Sequence, residues 1–195
     1  PHEWWRICVG LADDQARDDL YQRLQQGLML TLFQNQATRG GAHAESSVPS
    51  PSLQWYLAEG ATHGFFDLFY LLQNPSQTTT AQVRILYLLT SRAPIEQLVD
   101  VQPNSRSTIY VDQQPGLAAV DVSAVVESLN GVPIIVERAM YSSAAGTFAA
   151  GHDSAGVTAP STTWFFAEGA TGAFFDYFLL FANPNTTPAQ VETTY

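Results

Sequence analysis

The feature that most constrains this chain is that it repeats itself. Trp55-Tyr56-Leu57-Ala58-Glu59-Gly60-Ala61-Thr62 returns as Trp164-Phe165-Phe166-Ala167-Glu168-Gly169-Ala170-Thr171. Phe65-Phe66-Asp67 returns as Phe174-Phe175-Asp176, and Asn74-Pro75 as Asn183-Pro184. The lead-in matches as well, with His43, Val48, Pro51 and Ser52 standing against His152, Val157, Pro160 and Ser161. The offset is 109 residues throughout, until a one-residue gap sets Ala81-Gln82-Val83 against Ala189-Gln190-Val191. A period of that length gives each copy the size of one small domain. The chain thus divides into a segment 1–40 that resembles neither copy, a complete unit over 41–150, and an incomplete second copy over 151–195.

Within the complete unit, short β-rich runs alternate with turn signals. Phe65–Leu72 stops at Asn74-Pro75, Ile95–Val101 at Pro103-Asn104, and Thr108–Val111 near Pro115-Gly116. Val83–Leu89 is a further run, and Val120–Val126 leads to Asn130-Gly131, a strong tight-turn pair. Val132–Tyr141 is the last, and Pro133 makes it either an edge strand or a strand that starts there. With the Trp55 strand this gives about seven strands in about 90 residues, the size of an immunoglobulin-like antiparallel β-sandwich. The first segment differs. Ala16, Leu20, Leu24, Leu28 and Leu32 recur every four residues behind Asp13 and Asp14, so an amphipathic helix is expected over about 13–34. Arg39–Pro51, rich in Gly, Ala, Ser and Pro, reads as a linker.

Charge excludes some functions. The net charge is −10, there is no Lys, and the eight Arg residues are scattered. No basic stripe exists to displace counterions from nucleic acid, and an anionic membrane is no better a partner. No run approaches the roughly 18 apolar residues of a membrane-spanning helix. Ile7–Leu11 is too short for a signal peptide, so an export signal would lie outside this sequence. Charged residues make up only 13%, which suits a secreted or wall-attached β protein. Cys8 is the single cysteine and forms no internal disulfide; it is read as a buried thiol or as a link between chains.

The series Trp-x-x-Ala-Glu-Gly-x-Thr (Trp55–Thr62), Phe66-Asp67, Asn74-Pro75, Val-Glu-Arg-Ala-Met-Tyr (Val136–Tyr141) and Gly-His-x-Ser (Gly151–Ser154) resembles a repeat of large bacterial cell-surface and secreted proteins. The resemblance covers about residues 40–195 and leaves the first segment unexplained. It implies an extracellular, non-catalytic, structural or adhesive module.

The candidate chemistry is sparse. Glu59 and Glu168, like Asp67 and Asp176, hold the same place in both copies, and acidic residues beside Gly could ligate calcium. No calcium-loop spacing is present, however, and the favoured reading is a Glu59–Arg138 ion pair that holds a sheet corner, with no cofactor and no metal. His152-Asp153-Ser154 has the residue types of a hydrolytic triad, but adjacent residues cannot converge as a triad must. A secreted hydrolase using His152 and Ser154 is the alternative, and polysaccharide binding by exposed aromatic residues is another. The second copy, carrying Phe174, Phe175 and Phe178, is expected to leave an apolar face for a partner. The Trp4-Trp5 pair either packs on the helix or joins such an interface. A homo-oligomer or neighbouring repeats are therefore the expected partners.

Overall fold

The computed structural model describes residues 47–90, 92–143, 150–167, 169–172 and 177–195. The expected helix over 13–34, Trp4, Trp5, Cys8, His43, Glu168, Phe174, Phe175 and Asp176 lie outside the described residues.

The described chain is mainly β. Its strands are β1 (Gln54–Leu57), β2 (Phe66–Asn74), β3 (Ala81–Leu89), β4 (Ile95–Val101), β5 (Ser105–Tyr110), β6 (Val122–Ser128), β7 (Ile135–Ser142) and β8 (Ala150–Ala155), with one 3-10 turn at Val111–Gln113. They form two four-stranded sheets, ordered β1-β6-β3-β4 and β5-β2-β7-β8. Every pairing is antiparallel.

Side-chain alternation explains why the sheets face each other. Leu68, Tyr70 and Leu72 of β2 are fully buried, while Asp67, Phe69 and Leu71 between them are only partly covered. Val83, Ile85 and Tyr87 of β3 and Val122, Ala124 and Val126 of β6 alternate in the same way. With Trp55, Leu57 and Val136 these residues form one core between the sheets. Each large apolar side chain taken into it contributes roughly 1.5–3 kcal/mol.

Only the β3–β4 and β7–β8 connections join neighbours in a sheet; every other connection crosses from one sheet to the other. Asn130-Gly131 is such a crossing and not a hairpin. Gly131 takes φ +76°, and the Asn130 amide donates to the Thr80 carbonyl at 2.8 Å. Pro133 lies just ahead of β7, which is a central strand, so the proline marks a strand start and not an edge.

The eighth strand comes from the lead-in to the second copy. It pairs with β7 from Ser142↔Ala150 to Glu137↔Ala155. The chain then crosses to the other sheet, where Val157 and Tyr56 exchange backbone hydrogen bonds of 2.8 and 3.0 Å. Beyond it the described residues of the second copy carry no strand. Trp164 is 51% exposed where Trp55 is 1% exposed, and Tyr195 is 97% exposed where its counterpart Tyr87 is fully buried.

Candidate functional site

Most repeated motif residues of the complete unit are held by structural contacts. The Trp55 indole N–H donates to the Ile134 carbonyl at 2.9 Å, tying β1 to the entry of β7. Gly60 leaves no room for a side chain, since a Cβ there would lie 2.7 Å from Leu68 Cδ2 and 2.8 Å from the Val122 carbonyl. The Thr62 hydroxyl donates to the Leu117 carbonyl at 2.5 Å and accepts from the Val120 N–H at 2.9 Å. Those bonds pin Ala119, whose φ of 56° is unusual for a residue with a Cβ. Asn74, fully buried, donates from Nδ2 to the carbonyls of Thr79 and Val101, both at 2.9 Å, and accepts from the Ser76 N–H at 3.0 Å. In the second copy Asn183 makes the equivalent local bonds, to the Thr187 carbonyl at 2.7 Å and from the Asn185 N–H at 3.1 Å.

The most concentrated polar cluster centres on Arg138. Strand alternation turns this residue inward beside Tyr70, and its side chain is 2% exposed. Arg138 Nη1 lies 2.6 Å from Glu59 Oε2 in a charge contact that is not an in-line hydrogen bond. Arg138 Nη2 donates to His152 Nδ1 at 2.6 Å and to Ser154 Oγ at 2.9 Å, and Nε points to the same hydroxyl at 3.3 Å. A guanidinium can only donate, so His152 Nδ1 accepts and the imidazole is assigned as neutral. One buried cation thus joins the Ala-Glu-Gly corner, β7 and β8.

The same alternation determines what His152-Asp153-Ser154 can do. Ser154 stands opposite Arg138 and His152 opposite Met140, on the same face of the sheet as Arg138, and Asp153, opposite Ala139, belongs to the other face. The nitrogen and the hydroxyl converge on Arg138, an arrangement that holds a strand in place. A guanidinium donating to a hydroxyl does not accept its proton, so Arg138 cannot serve Ser154 as a general base.

A second cluster lies on the outward face of the β5-β2-β7-β8 sheet. Phe69 stacks on Tyr110 with ring centres 4.6 Å apart and meets Tyr141 edge-on at 5.8 Å. The Tyr110 hydroxyl donates to Asp67 Oδ1. That bond, with some desolvation and the nearby carboxylates of Asp112 and Asp67, pushes the Tyr110 phenol up to about 12. Asp112 accepts the Leu68 N–H at 2.9 Å, and burial raises its carboxyl above the usual range. Sequence reasoning singled out Asp67 but missed Tyr110 and Tyr141, brought to it by the β2–β5 and β2–β7 registers, and Asp112, brought to β2 by the 3-10 turn after β5. Residue types offered a partial signal. Asp67, Phe69 and Leu71, all outward, recur unchanged as Asp176, Phe178 and Leu180, whereas the inward Leu68, Tyr70 and Leu72 are replaced by Tyr177, Leu179 and Phe181.

Of the expected interface residues, Phe178 is described and is 75% exposed. Among the described residues no three His, Cys, Asp or Glu side chains gather to hold a metal ion. No helix among them is long and apolar enough to cross a membrane.

Comparison with protein families finds no match, and comparison with curated proteins finds none. Among solved structures, the crystal structure of Thermotoga maritima 1070 superposes with a TM-score of 0.50 at 17% identity, over 55% of this chain and 95% of that one. The Anabaena sensory rhodopsin transducer gives 0.39 at 19% identity, over 46% and 95%. At such identity the first is a likeness of fold alone.

Proposed function

We propose that this chain is a non-catalytic structural or adhesive module of an extracellular or cell-surface repeat array, with an immunoglobulin-like sandwich as its unit. In that fold the second strand pairs with the fifth and the third with the sixth. Both pairings occur here, while β1 on β6, β4 on β3 and β7 on β2 are departures. The observation that carries the reading is the use of the repeated motif: Trp55, Glu59, Gly60, Thr62 and Asn74 each make or permit a contact between distant segments of the unit.

Strand pairing supports assembly between repeats. β1, β2 and β3 share no ladder with one another, since β1 pairs with β6, β2 with β5 and β7, and β3 with β4 and β6. The segments of the second copy that correspond to β1, β2 and β3 therefore need strands of the β4–β8 type to close them. Their apolar residues await such cover, with Trp164, Phe178, Phe181 and Val191 all more than half exposed. Light scattering over a range of concentrations, with electron microscopy of the same samples, tests this. Masses above the 21.3 kDa of one chain, rising with concentration, are expected. A monomer at every concentration would overturn completion between molecules.

A second reading rests on the outward cluster. Repetition of Asp67, Phe69 and Leu71 on a face that does not need them for the core favours a contact surface, and aromatic rings beside carboxylates suit a polysaccharide. Retention on insoluble polysaccharide, lost in Phe69→Ala and Tyr141→Ala, is the result expected of it. Equal retention by wild type and both variants would discard it.

A further inference from the structure

β8 is an unusual strand to find in a sandwich. It reads Ala-Gly-His-Asp-Ser-Ala, and none of its residues is fully buried. A strand with no large apolar side chain gains little from the hydrophobic effect, which secures the other strands of its sheet. It is held by the ladder to β7, by the donation of Arg138 to His152 and Ser154, and by the passage of Gly156-Val157 across Tyr56. Gly156 fits tightly there: a Cβ would stand 3.1 Å from the Tyr56 carbonyl and 3.3 Å from the Trp55 ring. The segment closes the side of the sandwich between β7 of one sheet and β1 of the other. By the repeat offset it is also the beginning of the second copy.

We infer that the edge of β7, with Arg138 as its recognition residue, is a docking site for the lead-in strand of a following repeat, and that β8 is that strand in place. Each sandwich is then closed by its successor, and neighbouring repeats share a strand and are not merely tethered. The chemistry selected is an extended backbone carrying two acceptor side chains on alternate positions, a neutral imidazole and an oxygen, with small residues around them. The first copy's own lead-in keeps that pattern: His43 stands at the place of His152, and Glu45, an acceptor suited to a guanidinium, at that of Ser154. A buried cation with a single carboxylate contact gains further donors' partners only when such a strand docks, which makes the site selective for polar acceptors over apolar strands.

The inference rests on reading the chain as part of a repeat array, and its test separates the two. A protease site is inserted between Ser143 and Ala150 of the full chain, which is then cut, and the two fragments are followed by size-exclusion chromatography at neutral pH. The expected result is that they stay together in wild type and are separated by excess synthetic peptide of sequence 150–157. His152→Ala/Ser154→Ala should weaken the association at least about tenfold, the scale of losing one hydrogen bond to a charged group. Arg138→Met should do the same. The strand-side double variant, which leaves β7 intact, keeps the test valid if Arg138→Met fails to fold. Fragments that separate in wild type, or that hold equally well in the strand-side variant, would overturn the docking role. Light scattering of the uncut chain reads the array proposal independently, since a monomeric chain whose cut fragments stay together refutes assembly but not strand docking.

Discussion

Replacing Glu59 should destabilise the complete unit more than replacing Arg138, although the two side chains form one ion pair. Their environments differ: the Arg138 side chain is 2% exposed and that of Glu59 34% exposed. In Glu59→Ala the guanidinium stays buried with neutral partners, Ser154 and His152, and no countercharge. Removing one partner of a buried pair in this way costs about 3–5 kcal/mol. In Arg138→Met the remaining carboxylate can hydrate, and methionine fills part of the vacated volume. The loss is then mainly the hydrogen bonds to β8, about 1–3 kcal/mol. The double variant should be close to Arg138→Met alone, giving a favourable coupling about equal to the Glu59→Ala loss, about 3–5 kcal/mol. Urea or guanidinium unfolding at neutral pH, followed by tryptophan fluorescence, measures all three. An Arg138→Met loss as large as that of Glu59→Ala, or an additive cycle, would refute the reasoning, because packing and not charge burial would then be the main contribution.

Tyr70 carries a buried hydroxyl with no hydrogen-bond partner, stacked at 5.9 Å on Tyr87. Tyr70→Phe should therefore leave stability unchanged or raise it by about 1 kcal/mol, and a clear loss in chemical unfolding would show that the hydroxyl is satisfied. Burial pushes the phenols of Tyr70 and Tyr87 well above their ordinary value. With folded values raised, the folded chain holds more protons than the unfolded chain above about pH 10, so the stability these groups contribute is intact below that pH and lost as pH rises. The two together predict a slope of roughly 3 kcal/mol per pH unit above about pH 10, visible as a falling denaturant midpoint. Gly60→Ala forces a Cβ against the Val122 backbone and should cost about 1–3 kcal/mol, whereas Gly131→Ala has open space around it and is penalised only for its positive φ. Thermal unfolding of the two variants side by side checks that order.

The strands were readable because each core strand advertises itself locally. Val83, Ile85 and Tyr87 alternate with polar or half-exposed neighbours, and the same holds for Leu68, Tyr70 and Leu72, so period and turn residues suffice to place β2 and β3. β8 carries no such signal. Its six residues include no large apolar side chain, and its place on β7 depends on two contacts with Arg138 that a linear reading cannot see. His152 and Ser154 stood out in the sequence for their residue types and not for their place on a strand. Their alternation on β8 makes both of them acceptors for one buried cation. The outward cluster was hidden for a related reason, since Tyr110 and Tyr141 lie 41 and 72 residues from the Phe69 ring they meet.

The two copies show how much of the fold belongs to pairing and how much to the motif. Trp55 and Trp164 sit in nearly identical octapeptides, yet one indole donates to Ile134 in the core while the other donates to Ser161, three residues away, and is half exposed. The Asn-Pro corner, by contrast, forms in both copies, because its bonds from Asn74 to Thr79 and from Asn183 to Thr187 are local. Local chemistry thus recurs wherever the motif recurs, while burial of the tryptophan requires the strand that carries Ile134 or its counterpart. Supplying that strand should change Trp164 far more than Asn183. Blue-shifted, quencher-protected tryptophan emission on assembly, with no change in Trp55→Phe and loss of the signal in Trp164→Phe, would locate the completed sandwich at the second copy. A shift that persists in Trp164→Phe would place the contact elsewhere and separate assembly from the incomplete repeat.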